Sequence, residues 1–406
     1  MLLKKIWHKI ERIAAKTYLR FYPKIIIIGI TGSVGKTTTK EAIAQVLSEK
    51  FRVVKTQANI DPVFNIPRTI LKLRPGDEKL VLEMGVEYPG EMDSYLSLVR
   101  PHIGVVTKIA WTHTEFFGDI KGVAEEKGKL LEALPASGWQ VLNWDDEEVR
   151  KLTKKSQAQV FFYGTDESNC HLIAQDISTS KNGVSFLLKQ AIKGGAVRIN
   201  FPILGRHNVY CALAAASVGL LCGIKLEGIK RELEKLEPQP SRLNIVFGSS
   251  GSTIIDDSYN ASPVGAVAAI ETLKEYPGRR KIAVLGEMKE LGSHSEMGHR
   301  QVGKTLVVAK IDYLVSFGEL TKFVVDEAIK QGMKKDHIFQ VKTMKEVIKV
   351  LKKIIRPGDV ILLKGSRFSH MERVILGIEG KEINCDLVTC REYKPCSLCC
   401  KSKCSF

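Results

Sequence analysis

The sequence of 406 residues lacks long uninterrupted apolar runs. No stretch approaches the roughly 18 consecutive apolar residues that a membrane-spanning helix needs, so we expect none. The N-terminal segment also lacks the long apolar core and small-residue cleavage site of a secretory signal. These absences predict a cytoplasmic protein.

Cysteine is scarce through most of the chain and concentrated at its end. Only Cys170, Cys211 and Cys222 precede residue 381, which is typical of a reduced protein without a disulfide framework. The other six lie in residues 381–406, a segment containing CSLCCKSKC. A C-x-x-C pair can supply two thiolates to Zn²⁺, but no second well-spaced pair follows. A zinc site and a disordered tail with reactive thiols both stay open.

Acidic residues are outnumbered, 45 against 61 Lys and Arg, giving a formal charge of +16. The chain shows no RNA-binding signature and no basic stretch interleaved with aromatics, so we expect no nucleic-acid partner. Seven of the Lys and Arg residues fall in the first 24 positions, against one acid, Glu11. Residues 1–23 place the following residues at helical spacing: Leu3, Ile6, Trp7, Ile10, Ile13, Ala14, Tyr18 and Phe21. This basic amphipathic arm either contacts an anionic membrane surface or packs its apolar face on the first domain.

Strand-like apolar runs alternate with amphipathic helical segments, which predicts an α/β protein with parallel sheets. We expect a central P-loop ATPase-type domain at 24–237 and a C-terminal Rossmann-like domain at 238–380. The linker is the proline-containing passage KLEPQPSR. Within 140–200, the runs VFFYG, GVSFLL and AVRINFPI predict antiparallel strands laid against the first sheet.

The run IIIIGI leads into TGSVGKT and then a helix, which is typical of a phosphate-binding loop. Glycines permit close backbone approach, the helix N-terminus attracts an anion, Lys36 adds a positive charge and Thr37 a Mg²⁺-binding hydroxyl. The strict G-x-x-x-x-G-K-[ST] spacing fails by one place, because Ile30 stands at the first glycine position. The residues expected at the nucleotide phosphates are Gly32, Ser33, Val34, Gly35, Lys36, Thr37 and Thr38.

Seven further segments accompany this loop in order. They are LEMGVEYPGEM, AWTHTEFFGDIKGVAEEKGKLLEAL, LGRHNVYCALAAA, PSRLNIV, IDDSYNASP, LGEMKELG and KGSRFSHME. With the loop they resemble the motifs of the Mur ligase family, which joins amino acids to cell-wall precursors. DDSYNASP, GEMKELG and KGSR are similar to the branch that adds D-alanyl-D-alanine.

The resemblance implies roles for individual residues in an ATP-dependent ligase. It places Thr37, Glu83 and His113 at two Mg²⁺ ions, and it matches Lys127 to a lysine that many members carry as a carbamate. Lys36, Glu83, His113 and Lys127 are thereby the expected catalytic residues. The expected contacts to adenine and ribose are Asn208, Arg242, Asp257, Tyr259 and Asn260. The expected substrate contacts are Asn59, Lys364 and Arg367.

The sequence departs from the family pattern at three places. Only the basic arm precedes Lys24, where family members carry a domain for the UDP end of the substrate. The substrate loop reads NIDPVFNIP, with Asp61 and Pro62 at two asparagine positions and Asn65 at a glycine position. Cys211 replaces the second asparagine of the adenine-contacting helix.

The resemblance predicts an ATP-dependent amide ligase that adds D-alanyl-D-alanine to a UDP-muramoyl tripeptide, acting as a monomer. Two alternatives stay open at this point. One is the same chemistry on another carboxylate, in cofactor or archaeal wall-polymer synthesis. The other is an inactive nucleotide-binding homologue, which the intact Lys36, Thr37, Glu83, His113 and Lys127 disfavour.

Overall fold

A computed structural model of the chain describes residues 2–58, 60–191, 194–248 and 250–381. These residues form two compact units. The first contains the described residues up to 237, except 179–183 and 203–205, which group with the second; the second continues from Pro238.

The first unit is built on a nine-stranded sheet. Its strands are β1 Ile26–Thr31, β2 Val53–Lys55, β3 Lys79–Glu83, β4 Ile103–Val106, β5 Trp139–Asn143, β6 Gln159–Gly164, β7 Leu172–Ser180, β8 Gly183–Gln190 and β9 Ala196–Phe201. Their spatial order is β2-β3-β1-β4-β5-β6-β7-β8-β9. The strands from β2 to β7 pair in parallel, whereas β8 and β9 are antiparallel. Because helices cover both faces of a parallel sheet, its central strands read as continuous apolar runs.

Nine α-helices accompany this sheet in the described residues. They are α1 Leu2–Leu19, α2 Lys36–Leu47, α3 Pro62–Ile70, α4 Glu91–Leu96, α5 Thr114–Phe117, α6 Ile120–Glu132, α7 Glu147–Lys151, α8 Val209–Leu221 and α9 Leu226–Leu233. Helix α8 is buried from Cys211 to Gly219 and packs against α2, which explains its almost uniformly apolar sequence. This packing holds the helix after the phosphate loop against the interior.

The second unit has a six-stranded sheet in the order β10-β11-β15-β12-β13-β14. Its strands are β10 Asn244–Phe247, β11 Thr253–Asp256, β12 Lys281–Gly286, β13 Tyr313–Phe317, β14 Ile338–Val341 and β15 Val360–Lys364. Its α-helices are α10 Pro263–Glu275, α11 Ser295–Val308, α12 Lys322–Lys330, α13 Met344–Ile354 and α14 Arg373–Ile378. Only the β10–β11 pair is antiparallel among these described strands. The predicted mixed α/β class with largely parallel sheets is confirmed.

The prediction for residues 140–200 is correct in part. GVSFLL and AVRINFPI form the antiparallel pair β8–β9. VFFYG instead forms β6, which pairs in parallel with both β5 and β7, so the antiparallel prediction is wrong there. These strands also extend the edge of the first sheet and do not lie against it. Strand direction depends on the chain reversal between strands, which residue alternation within one strand does not report.

Helix α1 packs on the rest of the first unit through a face that includes Tyr18 but not the isoleucines. Ala15 is fully buried, and the Tyr18 hydroxyl donates to the Leu73 carbonyl at 2.7 Å. The Arg12 guanidinium donates to the Ser94 carbonyl at 2.8 Å. The expectation that the apolar face packs on the domain is correct for Tyr18 and wrong for the isoleucines, whose side chains stay exposed. Across the described helices, none has the length and apolarity to span a bilayer.

Candidate active site

The phosphate-binding loop connects β1 to α2 and lies close to the end of β4. Gly32 and Gly35 have φ of +144° and +82°, values that favour glycine. A Cβ on Gly32 would collide with the Thr107 hydroxyl. That hydroxyl donates to the Val34 carbonyl at 2.7 Å. The loop is therefore held open by glycine and fixed from the neighbouring strand.

Ser33 anchors the loop on its other side. Its hydroxyl donates to the Ala110 carbonyl at 3.0 Å and accepts from the Ala110 amide at 3.0 Å. The Ser33 amide donates to the Lys108 carbonyl at 2.7 Å. These bonds account for Ser33 structurally and leave the rest of the loop to present its backbone.

The N-terminus of α2 faces this loop. No side chain caps it, because Gly35 occupies the cap position, and Thr38 lies half-buried in the first turn. The first amides of a helix have no intrahelical partner and attract anions. The Lys36 ammonium donates to the Gly32 carbonyl at 2.8 Å and the Ser33 carbonyl at 3.3 Å, so it lies over the loop. This is a cradle with the charge and donors that a nucleotide phosphate requires.

Thr37 and Glu83 are brought together, as expected. The Thr37 hydroxyl donates to the Glu83 carboxylate at 2.9 Å, joining α2 to the end of β3. A hydroxyl and a carboxylate are oxygen donors of the kind Mg²⁺ prefers. Because Mg²⁺ usually takes one or two carboxylates plus substrate phosphates and water, this pair fits the ion.

Sequence reasoning missed Lys40, which is fully buried behind this pair. Its ammonium lies 2.9 Å from a Glu41 oxygen and 3.9 Å from a Glu83 oxygen, and donates to the Thr56 carbonyl at 2.8 Å. A buried positive charge balances carboxylates that would otherwise be costly to bury. The available signal was its position four residues after Lys36, on the same helix face.

His113 lies just before α5 with φ of +54°, a left-handed conformation uncommon for residues other than glycine. Within the described residues, no three His, Cys, Asp or Glu side chains are grouped so as to hold a metal by themselves. The structure therefore joins Thr37 to Glu83 without adding His113 to a protein-only metal cluster. A phosphate-assisted Mg²⁺ site does not require such a cluster.

Lys127 lies on α6 with only 1% of its surface exposed. Within the described residues its side-chain nitrogen has no hydrogen-bond partner, unlike the neighbouring Glu126, which accepts from the Met92 amide at 2.9 Å. Burial, with the positive charge of Lys36 adding to it, lowers the pKa of Lys127 well below its ordinary value. This environment favours the neutral amine over the ammonium, and a neutral amine is a nucleophile that can react with CO₂.

Asn208 is buried immediately before α8, at the end of a short 3-10 helix. The Cys211 thiol lies 3.5 Å from the Asn208 side-chain oxygen and 3.8 Å from the Gly35 carbonyl. The residue that departs from the family pattern thus contacts both the loop and the predicted adenine contact.

The described residues of the substrate loop, from Ile60 onward, lead into helix α3. Asp61 caps α3 by accepting from the Val63 amide at 2.9 Å, and Pro62 is the first residue of that helix. Buried Asn65 donates to the Gln57 carbonyl at 2.7 Å, which pins the preceding turn. The predicted substrate contact Asn59 lies outside the described residues.

The second unit gathers the remaining predicted residues in two groups. The Lys364 ammonium, at the end of β15, pairs with Asp257 and donates to the Asn260 carbonyl at 3.0 Å. The guanidinium groups of Arg242 and Arg367 lie 4.2 and 5.6 Å from the centre of the Tyr259 ring.

Asp256, adjacent to this group, was not predicted. It accepts from the Ser241 hydroxyl at 3.0 Å and the Ser258 amide at 3.1 Å, while burial raises the pKa of Asp256. It fixes the backbone that carries Asp257 and Tyr259. The sequence signal for this role was the pair of adjacent aspartates in IDDSY. Successive side chains of a strand point to opposite faces, so only one of the two can point inward.

Comparisons with known proteins agree with this geometry. The Mur ligase middle domain matches residues 30–219, and the Mur ligase, glutamate ligase domain matches residues 241–367. The chain is 35% identical over 350 residues to the UDP-N-acetylmuramoyl-tripeptide–D-alanyl-D-alanine ligase of Bacillus subtilis, covering 86% of this chain and 75% of that protein. The enzyme of the same name from Escherichia coli is 34% identical over 356 residues, covering 87% and 76%.

Solved structures of MurF ligases are also similar to this chain. A crystal structure of MurF from Acinetobacter baumannii superposes with a TM-score of 0.84 at 27% identity, covering 92% of this chain and 81% of that one. MurF ligase from Thermotoga maritima in complex with ADP gives a TM-score of 0.80 at 27% identity, covering 92% and 83%.

Proposed function

Since the chain belongs to the Mur ligase family, we propose that it adds D-alanyl-D-alanine to UDP-N-acetylmuramoyl-tripeptide with hydrolysis of ATP to ADP and phosphate. The observation that carries the proposal is the buried Lys127 amine, which has no hydrogen-bond partner in the part of the chain that the structure describes and lies within electrostatic range of Lys36 at the phosphate loop. A general nucleotide-binding fold has no need of such a group, whereas a carbamate-using ligase does.

The chemistry begins with a carboxylate, which is a poor electrophile. Transfer of the γ-phosphoryl group of ATP turns it into an acyl phosphate, and an amine then attacks the carbonyl carbon with loss of phosphate. Lys36 and the first amides of α2 stabilise the negative charge that spreads over the phosphates during transfer. Thr37 and Glu83 would hold Mg²⁺, which supplies further positive charge at the same phosphates, and His113 would serve a second ion.

Lys127 would act as a carbamate. The neutral amine attacks CO₂ and loses a proton, forming N-carboxylysine, and this reverses the sign of the group. A free ammonium beside Lys36 and a divalent cation would be repelled, whereas a carbamate is attracted to both.

In the second unit we assign Arg242, Asp257, Tyr259 and Asn260 to nucleotide binding. In the first unit we assign Asn208 to adenine binding. Lys364 and Arg367 would contact the incoming amino substrate, and Asn59 the acceptor. Support for these roles comes from the clustering of the second-unit residues around Tyr259 and Lys364.

We further propose a cytoplasmic location, because ATP and UDP-linked precursors are cytoplasmic small molecules. We also propose that the protein is a monomer and that its N-terminal helix makes a peripheral membrane contact. The cysteines proposed for Zn²⁺ lie outside the described residues. Metal analysis of the full chain against a chain ending at residue 380 tests that site, and equal zinc content would refute it.

A coupled assay tests the proposed activity. We expect phosphate release from ATP only when UDP-N-acetylmuramoyl-tripeptide and D-alanyl-D-alanine are both present, with one amide product per phosphate. Lys36→Ala should lower turnover at least about 100-fold. Lys24→Ala, an exposed lysine before β1, is the matched control and should keep full turnover.

The altered substrate loop favours one second candidate, the same ligation on another carboxylate. Asp61 and Pro62 begin a helix where the family pattern has asparagines, so the acceptor contacts differ. No turnover with the muramoyl tripeptide but turnover with another carboxylate would select this alternative. ATP binding without turnover on any carboxylate tested would contradict both candidates.

A further inference from the structure

Helix α1 exposes the face that an ordinary surface helix would bury. Ile6, Ile10 and Ile13 are 47%, 52% and 59% exposed, and Trp7 is 67% exposed. The three isoleucines recur at i, i+4 and i+7, so they share one side of the helix. Phe21, just beyond the helix, is 75% exposed. Together these five residues form an outward apolar ridge.

The opposite face of α1 fixes the ridge to the protein. Ala15 is fully buried, and Arg12 and Tyr18 donate to backbone carbonyls of the first unit at 2.8 and 2.7 Å. Since the polar contacts face inward and the isoleucines outward, the ridge does not result from a loose, undocked arm. Leaving three isoleucines in water forgoes the favourable burial that a core or partner would provide.

A basic stripe borders the ridge. Lys9, Lys16 and Arg20 are exposed and, at separations of seven and four residues, follow one side of the helix. Glu11 is the only acid in the described part of α1, and it pairs with Arg68 at 2.9 Å. The outward surface of this helix therefore presents apolar and positively charged side chains.

We propose that α1 is an interfacial anchor that binds the chain peripherally to a membrane surface rich in anionic phospholipid. Isoleucine side chains enter the boundary between headgroups and acyl chains, Trp7 and Phe21 occupy the interface, and the basic stripe pairs with lipid phosphates. A second copy of the chain is a poorer occupant, because a two-fold contact would bring the two basic stripes towards each other.

Vesicle flotation of the full chain tests this inference. We expect the chain to float with vesicles of phosphatidylglycerol and phosphatidylcholine and to stay behind with vesicles of phosphatidylcholine alone. At about 0.5 M salt the chain should detach in part, because the Debye length is then only about 4 Å. Ile10→Ser with Ile13→Ser should weaken binding at least about tenfold, since both apolar side chains are lost from the interface. Lys9→Glu, Lys16→Glu and Arg20→Glu together should abolish it.

Matched controls separate anchoring from general stickiness. Phe247→Ser with Val308→Ser removes two exposed apolar side chains of the second unit, 78% and 66% exposed, and should leave flotation unchanged. Lys330→Glu, Lys349→Glu and Lys352→Glu reverse three exposed charges there and should weaken flotation far less than the α1 reversal.

Three results would overturn the inference. The first is equal flotation with neutral and anionic vesicles, and the second is unchanged binding of the α1 isoleucine variant. The third is a dimer in light scattering that the isoleucine substitutions convert to a monomer, which would assign the ridge to a second copy. Thermal unfolding of each variant shows that it is folded, and none of these readouts depends on ligase turnover.

Discussion

Lys127 occupies an environment that disfavours its charged form. Its nitrogen lacks a hydrogen-bond partner in the described structure, and burial lowers the pKa of Lys127 well below its ordinary value, which favours the neutral amine. An unmodified lysine there destabilises the fold, so its presence points to a chemical use. Two predictions belong to this scale.

Lys127→Met should abolish turnover while stabilising the chain in CO₂-free buffer by about 1–3 kcal/mol, the cost of an unsatisfied buried polar group. An unfolded lysine has a pKa near about 10.4 and binds more protons than the folded one. The parent should therefore gain stability as pH rises from 7 to 9, and the variant should gain less. Urea unfolding measures both. Exposed Lys121→Met on the same helix is the control, and a variant less stable than the parent would contradict the prediction.

Lys127→Ala should regain part of its lost turnover when short carboxylic acids such as formate or acetate are added, because they restore a carboxylate where the carbamate would stand. Phosphate release with and without the acid provides the measurement. Lys36→Ala serves as the comparison and should not respond. An equal response of both variants would argue against a carbamate at Lys127.

At the scale of an element, the phosphate loop depends on its approach to β4. Gly32 combines a positive φ with a Cβ direction blocked by Thr107, whereas Gly90 combines a positive φ with open space. Comparing alanine substitutions at these two glycines therefore distinguishes the cost of a positive φ from the cost of a side-chain collision.

Gly90→Ala should cost about 1 kcal/mol of stability, from the left-handed backbone alone. Gly32→Ala should cost clearly more and also weaken ADP binding at least about tenfold, because the loop must move away from Thr107. Calorimetric titration with ADP and thermal unfolding check this. Equal stability losses in the two variants would show that the loop yields without strain.

At the scale of the whole molecule, the formal charge of +16 and the fully buried His299 predict sensitivity to acid. His299 is fully buried; its ring accepts from the Met288 amide at 3.1 Å and donates to the Ser295 carbonyl at 2.7 Å. Burial lowers the pKa of His299, although the bond to Ser295 opposes this. Protonation would remove the acceptor that the Met288 amide needs.

The unfolded histidine has a pKa near about 6.5, so the His299 contribution is complete above that pH and is lost as pH falls below it. We expect the urea concentration at the unfolding midpoint to decrease as the pH is lowered from 7 to 5. Added salt should restore part of the lost stability by screening the net charge. His299→Gln should show a shallower fall. A variant with the same pH slope as the parent would exclude His299 as the cause.

The alternation of strands and helices, the phosphate loop and the approach of Thr37 to Glu83 were predictable from sequence. These features are local, or follow from the carboxyl ends of neighbouring parallel strands meeting at one sheet edge. The position of Lys40 one helical turn after Lys36 is visible in the sequence, but its burial is not, because the Thr56 carbonyl that accepts from it follows a different strand. The direction of β6 was mispredicted because its residues carry no record of how the chain returns to the sheet.

Residue types and spacings of a few residues were sufficient to predict the α/β class, the glycine and lysine chemistry of the loop, and a basic amphipathic helix at the N-terminus. The lack of a Lys127 partner within the described residues and the outward direction of the α1 isoleucines became apparent only from the folded chain. Burial and helix orientation depend on surfaces contributed by distant segments, such as Leu73 and Ser94 against α1, and spacing within one helix cannot specify which of its faces those segments cover.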